Sequence, residues 1–243
     1  MDGCRAGWVA ARWDDDAIAF GLFATIEAWA AARGWRSRRV GRSVATLIDV
    51  PVGLLEGDGV GGAQRACDVA ARRRLKSRAT SVFTPPCREA LSAKDYAAAC
   101  AVNRAVLGRA ISLQAWHIVP KVAEVDAWLL GDAKRCDVLA ESHPELAFAV
   151  MNGEPMATRK RSAEGRDERA RLLGEAMGVD VLAALAAWRE AEDVTRKAVA
   201  DDDALDAAVL AWVAAGSRDE VESIPPEREV DRRGLPMRMV VRR

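Results

Sequence analysis

The sequence predicts an α/β fold, and three observations lead there. Two β-rich segments lie close together near the start, at residues 8–14 and 17–24. Two short apolar runs, 44–50 and 137–141, have the pattern of buried strands and carry an acid at or near their ends. Between and after them the chain is mostly helical in pattern. With 243 residues, half of them hydrophobic, the chain can bury a full core, and we expect one elaborated domain over residues 1–243.

Taken in order, Trp8-Val9-Ala10-Ala11-Arg12-Trp13 and Ala17-Ile18-Ala19-Phe20-Gly21-Leu22-Phe23 read as neighbouring strands with Asp14-Asp15-Asp16 as their turn. Thr25 is placed to cap a helix through Ala31, with Glu27 in the first turn and Gly34 as the stop. Val44-Ala45-Thr46-Leu47-Ile48-Asp49-Val50, closed by Pro51, reads as a central strand. Residues 63–131 are mainly helical: an Arg- and Ala-rich segment over 63–76, a break at Pro85-Pro86, a helix over 92–106 opening on Ser92, and a helix over 112–130 broken by Pro120. Residues 137–141 form a second buried strand, stopped by His143-Pro144. A polar, basic stretch over 152–166 is expected to be a mobile loop. Helices follow at 167–177 and 180–190, then a strongly apolar one over 202–215 headed by acids. A charged tail over 216–236 leads to a last edge strand at 237–241.

Composition excludes several classes. Formal net charge is zero, which argues against a nonspecific nucleic-acid coat but leaves room for a local basic groove. No apolar run spans a bilayer and the start, Met1-Asp2-Gly3-Cys4-Arg5, lacks a signal-peptide pattern, so no membrane association and a cytoplasmic location are expected. The five cysteines are scattered without CxxC spacing, so reduced thiols are expected and a zinc site is not. With only two histidines, carboxylates are the natural metal ligands.

The acids then fall into a pattern. Asp2 stands at the start of the chain, before a tight Gly3/Gly7 turn. Asp49 and Glu141 sit at the ends of the two apolar strands, and Asp203 and Asp206 share one face of the last long helix. Acids at strand ends point into the crevice where open α/β sheets bind ligands. Carboxylates gathered there would repel one another without a cation, and Mg2+ or Mn2+ bound by such oxygens serves phosphodiester chemistry. Asp202 and Asp203 have a plainer reading, as acids at a helix N-terminus contributing about 0.3–1 kcal/mol each. Asp206, one turn inside an apolar face, and Asp49, inside Leu47-Ile48-Asp49-Val50-Pro51, are harder to explain structurally.

In order along almost the whole chain come Asp2-Gly3-Cys4-Arg5-Ala6-Gly7-Trp8-Val9, Ile48-Asp49-Val50-Pro51-Val52-Gly53-Leu54, Arg65-Ala66-Cys67-Asp68, Ser81-Val82-Phe83, Gln114-Ala115-Trp116, Pro120-Lys121, Glu141-Ser142-His143-Pro144-Glu145 and Asp202-Asp203-Ala204-Leu205-Asp206. As a set they resemble the domain of unknown function 429 family, described as predicted nucleases with a ribonuclease H-like fold. The resemblance implies a mixed five-stranded sheet with helices on both faces. Its first, fourth and fifth strands are parallel and end on Asp2, Asp49 and Glu141. It also implies a large helical insertion, about 55–135, between the fourth and fifth strands, and a C-terminal extension over about 217–243. Relatives carry several apolar residues before the Asp-Gly-Cys-Arg motif; here only Met1 precedes Asp2, so either the true start lies upstream or the first strand is truncated.

The function expected from residues and resemblance together is a Mg2+- or Mn2+-dependent nuclease acting on DNA or RNA. Asp2, Asp49, Glu141, Asp203 and Asp206 would be its catalytic acids, and Asp2, Asp49, Asp203 and Asp206 its metal ligands. Arg65, Arg72, Arg78 and Arg88, with Lys121 and His143, are candidates for phosphate contact. Each has a structural alternative: Asp68 lies one turn after Arg65 and allows an ion pair, and His143 can satisfy backbone groups after its strand. The alternative function is a non-catalytic nucleotide- or nucleic-acid-binding protein of the same fold. A phosphotransferase related to actin-like ATPases is disfavoured by the missing glycine-rich phosphate hairpin. Gly57-Asp58-Gly59-Val60-Gly61-Gly62 lacks phosphate-loop spacing and reads as a connection. Gly41-Arg42-Ser43-Val44-Ala45 leads into a strand rather than out of one, which is the wrong context for a hydrolase elbow. The eight tryptophans read as core and groove walls.

Overall fold

Tight turns between apolar residues organise the start of the chain. β1 (Asp2–Cys4), β2 (Gly7–Asp14) and β3 (Ala17–Phe23) make an antiparallel sheet in that order, with Asp2 opposite Val9 and Trp8 opposite Phe23. Gly7 is required at the β1–β2 turn: its φ is +139°, and a Cβ there would lie 2.2 Å from the Phe23 carbonyl oxygen. Adjacent residues of β2 face opposite ways, and Trp8 and Val9 are both fully buried, so both faces of this sheet are covered. The structure, a computed structural model, describes residues 1–14, 17–32, 46–57, 64–227 and 229–243. The expected Asp14-Asp15-Asp16 turn, the stop at Gly34, the Gly41–Ala45 and Gly57–Gly62 motifs and the start of the 63–76 helix fall wholly or partly outside the described residues.

A second sheet has the order β4-β5-β7-β6, built from β4 (Thr46–Ile48), β5 (Leu139–Glu141), β6 (Val221–Ile224) and β7 (Met239–Arg242). β4 and β5 are parallel, with Ile48 opposite Glu141. Met1 joins the two sheets. Its nitrogen donates to the Leu47 carbonyl at 2.7 Å, and its carbonyl accepts from the Asp49 amide at 3.0 Å, a parallel pairing of Met1 with Ile48. One residue is too short for a ladder, so the described residues form sheets of three and four strands.

The chain divides into two compact units: Met1–Asp49, Asp137–Glu222 and Val240–Arg243 in the first; Val50–Cys136 and Ser223–Met239 in the second. In the first, α1 (Ile26–Ala31) is capped by Thr25, whose hydroxyl accepts from the Ala28 amide at 3.1 Å. α5 (Pro144–Asn152), α6 (Ala163–Met177), α7 (Val181–Ala191) and α8 (Asp201–Ala214) follow. α8 packs against β1, β2 and β4, and its Leu205, Val209, Leu210 and Val213 join Val9, Phe20, Leu47 and Phe148 in the main apolar core.

The second unit holds α2 (Ala66–Leu75), α3 (Tyr96–Leu107) and α4 (Leu113–Leu130), and α3 and the start of α4 share a small core of Cys87, Ala99, Cys100, Leu107 and Ala115. Arg88 ties it together, reaching Asp126, Glu56 and Asp231. The segment expected to be an insertion, about 55–135, lies within this unit, which also takes in most of the charged tail.

Several local expectations are corrected. α4 runs unbroken through Pro120, which is exposed, so the ring and the freed carbonyl one turn back lie on the outer side of the helix. α3 begins at Tyr96 rather than Ser92, because Asp95 takes the extended N-cap conformation and accepts from the Ala98 amide at 2.8 Å. α6 starts at Ala163 rather than 167, capped by Ser162, so only part of the expected loop is irregular. The last strand is not an edge: β7 lies between β5 and β6. No described helix is long and apolar enough to cross a membrane, and no disulfide joins the five cysteines.

Candidate metal centre

Two strand ends and one helix bring three acids together. The Met1–Ile48 pairing sets Asp2 and Asp49 next to each other on adjacent chains. α8, held by its apolar face, presents Asp206 one turn inside its N-terminus. Carboxylate oxygens of Asp2, Asp49 and Asp206 all lie within 4.8 Å of one another. Asp206 is 1% exposed, Asp2 is 7% exposed, and Asp49 is half-buried.

Only one of the three has a basic partner among the described residues. Lys160 Nζ donates to Asp206 Oδ2 at 2.7 Å. When ionised, the three carboxylates outnumber the one lysine ammonium; the Met1 amine also lies among them, and burial lowers its pKa to about 6. Burial, then the charges of Asp49 and Asp206, raise the Asp2 pKa well above the ordinary range. Asp206 is pushed up to about 6, again first by burial; Lys160 opposes the shift, but Asp49 adds to it. Burial works against the Lys160 ammonium, yet Asp206 and Asp2 outweigh it and raise its pKa. Both partners of this pair therefore hold protons more tightly, Asp206 chiefly because it is buried and Lys160 because of the carboxylates around it.

The donor set fits a hard divalent cation. All three side chains offer oxygen, and Asp206 Oδ1 is buried with no hydrogen-bond partner. A buried carboxylate oxygen left unsatisfied is costly, and a cation in the cluster would satisfy it.

The other expected acids stand apart from this trio. Asp203 reaches back to the Ala200 amide at 3.3 Å, closing the first turn of α8, and burial together with Asp202 pushes it up to about 6. Glu141, 3% exposed at the end of β5, is paired in register with Ile48 but lies outside the group of three. His143 occupies the N-cap position of α5 and is half-buried.

The expected phosphate contacts Arg65, Arg72, Arg78, Arg88 and Lys121 all lie in the second unit. Arg65 is 2% exposed; it holds Asp68 through two nitrogens, at 3.1 and 2.6 Å, and donates to the Val52 and Gly53 carbonyls. Arg72 donates to Val82, Gln64 and Thr84, at 2.9, 2.7 and 3.0 Å. Arg88 is held by its three acids. Arg78 and Lys121 are half-buried, on a 3-10 turn over Lys76–Ser81 and on α4.

Lys160 and Arg161 are the residues that sequence reasoning missed. Both belong to the irregular segment before α6, and Arg161 Nε lies 3.2 Å from Asp202 Oδ2. Their only signal was a basic stretch preceding a Ser-capped helix.

The family described as protein of unknown function (DUF429) matches residues 1–230. No curated protein and no solved structure matches the chain.

Proposed function

We propose that this chain, which belongs to the DUF429 family, is a divalent-metal-dependent nuclease that hydrolyses phosphodiester bonds in nucleic acid. The observation that carries the reading is the meeting of Asp2, Asp49 and Asp206 from two strand ends and a helix. The strand arrangement supports it: β3-β2-β1 antiparallel, Met1 paired parallel to β4, and β4 parallel to β5 agree with a ribonuclease H-like sheet. Acids at the ends of its parallel strands face the crevice where such sheets take ligands.

In this reading Asp2, Asp49 and Asp206 hold Mg2+ or Mn2+, and Asp203, whose charge is felt at Asp2, adjusts the local field. The cation would supply Lewis-acid stabilisation of the phosphate and lower the pKa of an attacking water. The chain's own part is positional. Lys160 fixes the Asp206 carboxylate through Oδ2 and leaves Oδ1 for the ion, and the apolar face of α8 keeps the carboxylate from swinging away. Asp2 accepts from the Gly3 amide through Oδ1 at 2.7 Å, which orients its second oxygen.

A second reading, a nucleotide- or nucleic-acid-binding protein without catalysis, is favoured by one observation: the Lys160 ammonium already supplies one positive charge to the cluster. Incubating a mixed set of structured and single-stranded DNA and RNA with manganese separates the two. The nuclease reading expects cleavage by the wild-type chain and loss of at least about 100-fold in Asp49→Asn, the scale of removing one electrostatic group from an active site. Equal activity of the two proteins, or none in either, contradicts it.

A further inference from the structure

We propose that a cleft at the N-terminal end of α6 is a phosphate-binding groove that leads the backbone of a single nucleic-acid strand to the Asp2–Asp49–Asp206 carboxylates. This rests on the nucleic-acid part of the reading above and assigns the strand's path and the chemistry that is read. The cleft has a volume of about 390 Å³ and is walled by Lys160, Arg161, Arg166 and Arg196. The carboxylates on its wall are Asp201 and Asp202, so four cations face two acids. That is the size of a small-ligand pocket rather than a duplex-wide trough.

Arg161 and Arg196 are the cations most available to a ligand, since Lys160 is held by Asp206 and Arg166 by Asp167, each at 2.7 Å. Asp201 is satisfied by Arg189, which holds it at 2.6 Å; Arg166 and Arg196 approach it only to 3.6 and 3.8 Å. Arg161 meets Asp202 through a single nitrogen. Arg161 and Arg196 are 85% and 74% exposed and touch their acids through one long contact each, so both side chains can turn to a phosphate. Arginine forks match phosphate oxygens in pairs.

Backbone geometry adds to this. Ser162 caps α6 by accepting from the Gly165 amide at 3.0 Å, and Ser162 and Ala163 line the cleft, so the positive end of a 15-residue helix opens into it. The loop that carries the cations is fixed closely on that helix: a Cβ at Gly165 would lie 2.0 Å from the Arg159 carbonyl oxygen. Lys160 joins the two sites, since it walls the cleft and bonds Asp206. Among the described residues no aromatic side chain lines the cleft, so the groove reads charge rather than sequence.

The test is fluorescence anisotropy of a labelled single-stranded oligonucleotide with the full chain in calcium, comparing wild type with the Arg161→Gln/Arg196→Gln double variant. The groove predicts a rise in Kd of at least about 10-fold. It also predicts a salt dependence of log K shallower by about 1.4, since each lost contact to a single strand removes about 0.7. Both side chains are mostly exposed, and circular dichroism checks that the variant folds. Unchanged affinity and slope overturn the groove, as does a wild-type chain that binds no oligonucleotide. A 5′-mononucleotide bound as tightly as the oligonucleotide also overturns it, by showing a nucleotide pocket instead of a strand path. Cleavage in manganese is read separately. Variant-sensitive binding without cleavage leaves the groove standing and removes the nuclease reading. Cleavage at low substrate that is undiminished in the double variant does the reverse.

Discussion

Lys160 Nζ lies 2.7 Å from Asp206 Oδ2, joining a loop before α6 to an acid buried inside the apolar face of α8. The contact decides how the cluster is held. Asp206 is the most buried of the three acids, and without Lys160 its charge would face the Asp49, Asp2 and Glu145 carboxylates with only the Met1 amine to offset them among the described residues.

Lys160→Met should therefore destabilise the metal-free protein. Removing one partner of a fully buried pair costs about 3–5 kcal/mol; Lys160 is 36% exposed, so about 1–2 kcal/mol is expected. Lys160→Met/Asp206→Asn should recover part of that loss, because the stranded charge goes with its partner. Urea denaturation of the three proteins measures this, and a double variant less stable than Lys160→Met contradicts it.

Asp203 makes a pH prediction. Its folded-state pKa, about 6, lies above the ordinary 3.8, so the native state binds the proton more tightly than the unfolded chain. For such an acid stability falls as pH rises from about 4 to about 6 and is flat above. Asp203→Asn keeps an acceptor for the Ala200 amide but never ionises. It should match wild type below pH 4 and exceed it by about 1–2 kcal/mol at pH 7, somewhat less than the full shift implies because Asp203 is only partly buried. Denaturation midpoints at several pH values check the sign.

Much of the architecture was legible. Two β-rich segments on either side of an acidic turn mark β2 and β3, Thr25 marks α1, and Asp49 and Asp206 stand out as acids in apolar runs. What was not legible depends on distant partners. Lys160 meets Asp206 across 46 residues of sequence from an aperiodic basic loop, and nothing local signals that. β6 was read as tail because Val221-Glu222-Ser223-Ile224 lies among charges and prolines, and its pairing with β7 is decided by the sheet. Arg65 was grouped with phosphate ligands because charge in sequence does not show burial.

Arg65 gives the contrasting prediction. It is 2% exposed and neutralises Asp68, so Arg65→Gln should lower stability by about 3–5 kcal/mol through the uncompensated acid. Oligonucleotide affinity of the folded fraction should not change. A weakened affinity with stability intact would return Arg65 to a binding role.

Gly165→Ala sets two magnitudes against each other. Alanine gains about 1 kcal/mol of helix propensity over glycine. The new Cβ would, however, sit 2.0 Å from a backbone carbonyl, and such overpacking costs about 1–3 kcal/mol or more when backbone must move. The clash should win, with net destabilisation and a looser Lys160 loop. Thermal denaturation decides, and a stabilised variant contradicts the placement of that loop.

Isothermal titration of Mn2+ into the wild-type chain and Asp49→Asn tests the metal centre most directly. Three converging carboxylates against one lysine ammonium predict saturable binding near one ion per chain, weakened at least about 10-fold by the substitution, or about 1.4 kcal/mol. No binding by the wild-type chain, or the same affinity in both proteins, would contradict it.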